Sequence, residues 1–359
     1  MHQIRVFVVD DSVVFRKLLL KAINSVPGVR TVGVASNGKE AIEAIPSVKP
    51  DFITLDLNMP VMDGLETLNQ LRRVYPSFKV LMVSAYTSEG AQATLQALEA
   101  GALDFITKPE GNDESQNSRI LCEQLSLLFS KYADSQRKNI RFKPELKTAA
   151  VSTSEPRISG DSHLPLSVKP EVVALGISTG GPRALAALLP LLPSDFPFPL
   201  LIVQHMPKLF TKTLAESLDR KTHLRVVEAQ NGEEVNAGKV FIAPGGKQMK
   251  VVRNGNGKNV LKITDDPPEN HCKPSVDYLF RSVAQVYGAN AMGIIMTGMG
   301  SDGVLGLKLM KRKGARVMAQ NRESCAVWGM PRMAIEAGVV EVVLSPEKIA
   351  AELLRCGEI

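Results

Sequence analysis

Cysteine and histidine are scarce in this chain of 359 residues, which has four of the first and five of the second. The cysteines lie far apart in the sequence, none belongs to a C-x-x-C pair, and no histidine stands at metal-ligand spacing from them. Disulfide-stapled folds and zinc modules need such clusters, so we expect reduced thiols and a cytoplasmic location. The four cysteines are Cys122, Cys272, Cys325 and Cys356.

Long apolar runs are also missing from the sequence. No window approaches the roughly 18 uncharged apolar residues that a membrane span requires. The N-terminal stretch MHQIRVFVVDDS has neither the basic start nor the long apolar core of a signal peptide. We therefore expect no membrane insertion.

Aromatic residues make up only 5% of the chain, with a single tryptophan, and no basic-aromatic platform or helix-turn-helix accompanies the net charge of +6. Half of that charge comes from residues 132–170, which hold seven Lys or Arg and four Asp or Glu. A basic stretch of this kind is typical of a solvated tether. We therefore predict that nucleic acid is not a partner.

What the sequence does have is a regular alternation of short apolar runs with longer amphipathic ones. Five such units follow one another in residues 1–131, which predicts a doubly wound α/β domain with a five-stranded parallel sheet. Ligands of such sheets bind beyond the carboxyl ends of the strands. The expected strands are residues 4–9, 30–35, 51–55, 79–83 and 103–107.

The alternation stops in residues 132–170, where Ser, Pro, Lys and Thr dominate, and we predict a flexible linker there. It returns in residues 171–359, which we predict to form a second α/β domain with a mainly parallel sheet. Gly and Asn punctuate residues 226–265, and this pattern predicts a β-hairpin insertion within the second domain.

Polar side chains stand at the ends of four strands of the first domain. One aspartate in such a place is common as a turn or cap residue, but these side chains would converge at one edge of the sheet. Carboxylates that close together repel unless a cation joins them, and an oxygen-lined site suits Mg²⁺. The residues are Asp10 and Asp11 after the first strand, Asp56 at the third, Ser84 at the fourth and Lys108 after the fifth.

Four segments around these residues, VFVVDDS, LDLNMPVMDG, MVSAYT and FITKP, resemble a two-component receiver domain, which has a flavodoxin-like fold. The resemblance implies that Asp56 accepts a phosphoryl group and that Mg²⁺ is the cofactor of this domain. The further roles it implies are Mg²⁺ ligation by Asp10, Asp11 and Asp56, a phosphoryl contact from the Ser84 hydroxyl, a cationic partner at Lys108 and an aromatic switch at Phe105.

A glycine-rich turn, Gly176-x-Ser178-x-Gly180, follows the first apolar run of the second domain and precedes a helical pattern. Such a turn can cradle a phosphate or expose a nucleophilic serine. A Walker-type cradle needs a lysine after its last glycine, and here Pro182 follows Gly181; the dinucleotide pattern Gly-x-Gly-x-x-Gly is also absent. The spacing therefore favours the strand-to-helix elbow of a nucleophilic serine.

A serine nucleophile needs a histidine to take its proton. His205 ends the next apolar run, LLIVQH, which places it at the same edge of the sheet as Ser178. The other histidines are expected in the linker, at the N-terminus, or in loops and surface stretches. His205 is therefore the predicted base.

The imidazole in turn needs an acid that orients it. Asp302 lies in another glycine-rich strand-to-helix turn, within MTGMGSDG. Taken alone, Asp302 fits a helix N-cap equally well. The order Ser, His, Asp differs from the Ser, acid, His order of α/β-hydrolases, so the triad predicts a different fold.

Six segments of the second domain resemble the catalytic domain of the chemotaxis protein-glutamate methylesterases, the CheB family. The resemblance implies that Ser178 attacks the methyl ester of a glutamate on a methyl-accepting chemoreceptor, releases methanol and leaves an acyl-enzyme for water to cleave. Many members also deamidate receptor glutamines. The segments are ALGISTGGPRAL, IVQHMP, VFIAPGGKQM, KPSVDYLF, MTGMGSDG and ESCAVWGMPRMAI.

The same resemblance implies a chemotaxis histidine kinase as phosphodonor and no cofactor in the catalytic domain. It also implies that the backbone N–H of Met299 stabilises the oxyanion. The elbow geometry makes the N–H of Thr179 a second candidate. We further expect the unphosphorylated receiver to cover the cleft at Ser178, and phosphorylation of Asp56 to open it.

Two other hypotheses stay open at this point. A receiver can precede an output domain without chemistry, such as a DNA-binding effector, but that predicts a helix-turn-helix or a strongly basic C-terminal domain. A general small-molecule esterase would use the same triad. A bulky apolar acyl pocket would favour it, whereas control by a receiver and polar, Gly-rich loops favour a protein substrate.

Overall fold

The computed structural model describes residues 3–75, 78–109, 113–140 and 169–358. The chain divides into two compact units, the first ending at Gln136 and the second beginning at Arg137. Within the described ranges, no helix combines the length and the apolarity that crossing a membrane requires.

The first unit is a five-stranded parallel sheet in the order β2-β1-β3-β4-β5, with helices between consecutive strands. This confirms the doubly wound fold predicted for it. The strands are β1 (Ile4–Val9), β2 (Val29–Ala35), β3 (Phe52–Asp56), β4 (Lys79–Ser84) and β5 (Asp104–Thr107). The helices are α1 (Val13–Ser25), α2 (Gly38–Val48), α3 (Gly64–Val74), α4 (Ser88–Glu99) and α5 (Glu114–Ile140).

Local sequence explains why these helices begin where they do. Each of α1 to α4 has a polar N-cap whose side chain accepts a hydrogen bond from a backbone N–H of the first turn. The caps are Ser12, Asn37, Asp63 and Thr87. Helix α5 runs to Ile140, past residue 132, where we expected the linker to begin. The rest of the predicted linker, up to residue 168, lies outside the described residues.

The second unit is built on a seven-stranded parallel sheet in the order β14-β13-β12-β6-β7-β9-β8. Its strands are β6 (Val172–Ile177), β7 (Leu200–Gln204), β8 (Arg225–Glu228), β9 (Lys239–Ile242), β12 (Ala291–Ile295), β13 (Arg316–Gln320) and β14 (Val342–Leu344). Its helices are α6 (Gly181–Leu188), α7 (Lys208–Asp219), α8 (Val276–Tyr287), α9 (Val304–Arg312), α10 (Met330–Glu336) and α11 (Pro346–Gly357).

The predicted hairpin insertion is present but shorter than residues 226–265. Within residues 226–265, all of which the structure describes, the antiparallel pair apart from the main sheet consists of β10 (Gln248–Arg253) and β11 (Asn259–Thr264). The two preceding strands, β8 and β9, join the main sheet as parallel edge strands instead. The hairpin packs on α8, where the N–H of Val251 donates to the Ser282 hydroxyl at 3.0 Å.

The central strands of the second unit are buried along their whole length. Every residue of β6, β7 and β12 is buried, because helices cover both faces of a parallel sheet. Strand β6 lies between β7 and β12. The residues that follow these three strands therefore meet at one carboxyl edge, which is where the candidate site lies.

Candidate functional site

Ser178 directly follows β6 and is tied to both neighbouring strands by its backbone. Its N–H donates to Thr297 O at 2.9 Å, and its carbonyl accepts from Gln204 Nε2 at 3.0 Å. Gly180 then adopts a left-handed conformation with φ of 79° and caps α6. A Cβ at Gly180 would also collide with the Ala326 side chain, so this turn needs glycine for space as well as for φ.

His205 directly follows β7 and lies beside the same turn. Its backbone N–H donates to Ile177 O at 3.2 Å, which fixes it next to the end of β6. Its Nε2 lies 2.8 Å from Asp302 Oδ2, and the imidazole side chain is only 12% exposed. The structure therefore brings the predicted base and the predicted acid together.

Asp302 is held by the start of a different helix, α8. Its Oδ2 accepts the N–H of Val276 at 2.7 Å as well as the contact from His205. Its Oδ1 accepts from Ser275 Oγ at 2.9 Å, Asn270 Nδ2 at 3.0 Å and the N–H of Asp277 at 3.1 Å. The N-cap of the helix that follows Asp302 is Gly303, so Asp302 is not a cap of its own helix.

These contacts set the charges of the histidine–aspartate pair. Burial raises the pKa of Asp302, but the hydrogen bond from His205 and the backbone N–H of Val276 outweigh it and lower that pKa to about 2. Burial lowers the pKa of His205, but the hydrogen bonds to Asp302 and Cys272 outweigh it and raise the pKa to about 9. The acid is thus ionised, and the imidazole becomes a free base as the pH rises towards 9.

Ser178 and His205 directly follow the paired strands β6 and β7. Within the part of the chain that the structure describes, Ser178 Oγ makes no hydrogen bond. Because Asp302 holds His205 by Nε2, the ring nitrogen that remains for the serine proton is Nδ1. Catalytic hydrogen bonds are often long before substrate binds, so this geometry is compatible with a nucleophile and its base.

The predicted oxyanion donor Met299 lies in a loop pressed against Ser178. A Cβ at Gly298 would lie 2.7 Å from Ser178 Cβ, so this loop approaches the serine closely. Gly300 has a φ of 90°, and the N–H of Met299 has no acceptor among the described residues. Thr179, the second candidate, is buried, and its carbonyl accepts the Thr297 hydroxyl at 2.9 Å.

The first unit places Asp10, Asp56 and Lys108 in one pocket at the carboxyl edge of its sheet. Lys108 Nζ lies 2.8 Å from Asp56 Oδ2 and 3.1 Å from Asp10 Oδ2. Burial raises the pKa of Asp56 to about 6, although Lys108 acts in the opposite direction. Burial also raises the pKa of Asp10. Lys108 therefore does not fully compensate the buried carboxylates of this pocket.

The residues of this pocket fit a divalent cation. One carboxylate oxygen from each of Asp10, Asp11 and Asp56 lies within 4.8 Å of the others. Asp10 Oδ2 is buried and, apart from its ion pair with Lys108, has no hydrogen-bond donor among the described residues. Hard carboxylate oxygens of this kind are the ligands that Mg²⁺ prefers.

The Ser84 hydroxyl is turned towards α4 in this structure. It donates towards Gly90 O at 3.2 Å and accepts from Thr94 Oγ1 at 2.7 Å, fully buried. Contact with a phosphoryl group at Asp56 therefore requires that this hydroxyl reorient. Phe105 lies on β5, partly buried, next to Asp104.

The residues that hold Asp302, and the thiol beside His205, were not among the predicted site residues. The side chains of Asn270 and Ser275 and the backbone N–H of Asp277 converge on Asp302 from the first turn of α8 and the segment before it. Cys272 Sγ lies 3.7 Å from His205 Nδ1. The only signal in the sequence was that Ser275 and Asp277 belong to KPSVDYLF, one of the segments that carry the family resemblance.

An aspartate pocket on a doubly wound sheet, followed by a serine, histidine and aspartate at the edge of a second parallel sheet, defines a class of protein: a response regulator whose output domain is a hydrolase. The model of the receiver domain family matches residues 6–118, and that of the CheB methylesterase family matches residues 173–353.

Curated relatives match along the whole chain. A protein-glutamate methylesterase/protein-glutamine glutaminase of Desulfotalea psychrophila is 43% identical and that of Bacillus subtilis 40%, each over at least 98% of both chains. The crystal structure of the Thermotoga maritima CheB methylesterase catalytic domain is 41% identical with a TM-score of 0.51, covering 52% of this chain and 99% of that one. The chain belongs to the CheB protein-glutamate methylesterase family.

Proposed function

We propose that this chain is a phosphorylation-regulated methylesterase that hydrolyses glutamate methyl esters on methyl-accepting chemoreceptors. The proposal rests on one observation: the side chains of His205 and Asp302 are hydrogen-bonded to each other next to the strand-to-helix turn that holds Ser178. A 2.8 Å contact joins their side chains, and the start of α8 holds the acid ionised. An ionised, oriented acid is what a histidine base needs to stabilise its imidazolium.

In the first half of the reaction, Ser178 Oγ attacks the ester carbonyl while His205 Nδ1 takes the hydroxyl proton. The negative charge that develops on the carbonyl oxygen accepts hydrogen bonds from the backbone N–H groups of Met299 and Thr179. Collapse of the tetrahedral intermediate expels methoxide, which takes the proton from His205 and leaves as methanol. Ser178 then carries the glutamyl group as an ester.

In the second half, water takes the place of the serine. His205 removes a proton from the water as it attacks the acyl carbonyl, and the same N–H groups stabilise the second oxyanion. The proton returns to Ser178 Oγ as the acyl–oxygen bond breaks. The products are the free glutamate side chain and the restored enzyme.

We infer that the same residues also deamidate receptor glutamines, as the names of the relatives indicate for those proteins. The leaving group is then ammonia, which needs the proton from His205 even more than methoxide does. Ammonia release from receptors that carry glutamine at the modified positions tests this activity. If Ser178→Ala still released ammonia, a separate site would have to be sought.

We propose that phosphorylation of Asp56 controls the hydrolase. Bound by Asp10, Asp11 and Asp56, Mg²⁺ would supply positive charge to an incoming phosphoryl group. Lys108, already in contact with Asp56, pairs with the phosphorylated side chain, and Ser84 turns towards it. The phosphodonor that this proposal requires is a chemotaxis histidine kinase.

Phosphorylation is tested with labelled acetyl phosphate on the full-length chain. We expect label in the presence of Mg²⁺ and none after chelation, because the buried carboxylates repel a phosphoryl group without a cation. Asp56→Asn should abolish labelling, whereas Asp63→Asn, the matched change at an exposed helix cap, should leave it intact. Label that survives Asp56→Asn would assign the phosphoryl group to another residue.

We also place the enzyme in the cytoplasm. All four cysteines are free thiols in the structure, in keeping with a reducing compartment.

Hydrolysis is tested by the release of labelled methanol from membranes that carry methylated receptors, with and without a phosphodonor. Ser178→Ala should lower the rate by roughly 10⁴–10⁶-fold, because triad members act as a unit. Ser194→Ala, an exposed serine of the same unit, is the matched control and should release methanol at the wild-type rate. Near-normal release by the Ser178 variant would remove the nucleophile assignment. Hydrolysis of small esters without any on receptors would favour a general esterase.

A further inference from the structure

Cys272 lies beside the catalytic pair and takes no part in the proposed reaction. Its Sγ is 3.7 Å from His205 Nδ1 and 3.4 Å from Asn270 O. Two backbone hydrogen bonds with Glu269, of 2.8 and 3.1 Å, hold the cysteine in place before α8 begins. The thiol is partly buried and faces the ring nitrogen that is to receive the serine proton. A thiol held in place opposite an imidazole nitrogen can supply two ligands to one metal ion.

The distance between the two atoms suits one shared ion. Zn²⁺ binds thiolate sulfur at about 2.3 Å and imidazole nitrogen at about 2.0–2.1 Å, so a tetrahedral ion separates these two ligands by about 3.6 Å. The observed separation of Sγ and Nδ1 is 3.7 Å. Little movement of Cys272 or His205 is needed to bind an ion between them.

Asp302 already supplies the supporting contact that such a site needs. Histidines that bind metal usually donate their second ring N–H to a carboxylate, which fixes the tautomer and makes the ligating nitrogen more basic. Here His205 Nε2 lies 2.8 Å from Asp302 Oδ2, which leaves Nδ1 directed to the thiol side. One ligand atom from each of His205, Cys272 and Asp302 lies within 4.8 Å of the others.

We propose that Zn²⁺ binds between Cys272 Sγ and His205 Nδ1 and reversibly inhibits the hydrolase. The thiol proton goes to solvent, the sulfur and the imidazole each donate a lone pair to the ion, and water completes its coordination. The ion occupies the nitrogen that must accept the proton of Ser178, so attack on the ester stops. This inhibition rests on the proposed function, whereas binding of the ion does not.

The zinc site and the magnesium site would then select different ions, because their ligands differ in chemistry. A thiolate with an imidazole selects zinc-like ions, whereas the carboxylates of Asp10, Asp11 and Asp56 select Mg²⁺. Millimolar Mg²⁺ that supports phosphorylation should therefore leave the hydrolase uninhibited. Removal of Zn²⁺ by a chelator should restore the rate, because no covalent bond to carbon has formed.

Binding is tested with Co²⁺ as a spectroscopic probe of the full-length chain. We expect a thiolate-to-cobalt charge-transfer absorption that saturates at one ion per chain and disappears when Zn²⁺ is added. Cys272→Ser should lose this absorption, and Cys122→Ser, a change at another partly buried thiol in the other unit, should keep it. An absorption that persists in Cys272→Ser, or none in the wild type, would overturn the proposal.

Inhibition is tested by Zn²⁺ titration of methanol release, with each variant compared to its own rate in chelator. The half-inhibiting Zn²⁺ concentration should rise by about tenfold or more in Cys272→Ser and stay unchanged in Cys122→Ser. If the wild-type chain releases methanol at a rate that does not change with Zn²⁺, the proposed inhibition is wrong. A wild-type chain with no hydrolase activity in chelator would instead overturn the proposed function, and the cobalt absorption would still decide the metal site.

Discussion

Each unit contains an aspartate of its candidate site that is almost fully buried. The two aspartates are buried to the same extent, but their pKa values are shifted in opposite directions. Asp56 is 4% exposed and Asp302 is 3% exposed. The pKa of Asp56 is raised to about 6, and that of Asp302 is lowered to about 2. Burial alone therefore does not determine the charge state of a carboxylate.

The difference lies in the donors that surround each side chain. Asp56 has one strong partner in Lys108, which it shares with Asp10, and a hydrogen bond from the N–H of Leu57. Asp302 accepts from the start of α8, from two side chains on the approach to that helix and from His205. In the described part of the chain, fewer donors therefore surround the carboxylate of Asp56 than that of Asp302.

The largest effect in this comparison is expected from Asp302→Asn. The amide cannot stabilise the imidazolium, and it presents an N–H group to donors that already point at it. We expect a loss of about 10⁴ in the rate of methanol release, the size seen when the acid of such triads becomes an amide. The matched change Asp219→Asn, on α7 away from the site, should have little effect. A loss of less than tenfold in Asp302→Asn would show that His205 works without it.

The pH dependence should show a second, smaller effect. His205 acts as a base only when neutral, and its pKa is raised to about 9, so the rate rises with pH and is half-maximal near that value. At pH 7 it should be about 100-fold below the plateau. Asp302→Asn removes the main cause of the raised pKa and should move the profile to lower pH. A wild-type profile that is flat from about pH 7 to 9 would contradict the assigned charge state.

Removal of the receiver should have the smallest effect of the three. If the unphosphorylated receiver restrains the hydrolase, a fragment of residues 169–359 should release methanol at least about fivefold faster than the unphosphorylated full-length chain. The fragment should no longer respond to a phosphodonor. A fragment that is folded by circular dichroism yet slower than the full-length chain would make the receiver an activator.

Much of this architecture could be predicted because parallel strands impose strong local patterns. Apolar runs alternating with amphipathic helices predicted β1 to β5 and β6, β7, β12 and β13. The carboxyl ends of parallel strands meet at one edge, which is why Asp10, Asp56 and Lys108, and likewise His205 and Asp302, come together as expected.

What could not be predicted depends on packing between distant segments. Asn270, Ser275 and Asp277 reach Asp302 only because α8 packs beside the hairpin and against β6, and no local pattern reports that placement. Cys272 and His205 are far apart in sequence, so metal-ligand spacing gave no signal. Helix α10 and strand β14 were missed because their segments are short, and β8 and β9 were mistaken for part of the insertion.

The most direct test of the central contrast is a carboxyl ¹³C NMR titration of the full-length chain, with Asp56 and Asp302 assigned through their Asn variants and Mg²⁺ removed. We expect Asp302 to titrate near 2 and Asp56 near 6, and added Mg²⁺ to lower the pKa of Asp56 while leaving Asp302 unchanged. If both carboxyls titrate near the ordinary value of about 3.9, or if Mg²⁺ shifts both equally, the surrounding donors do not distinguish the two sites.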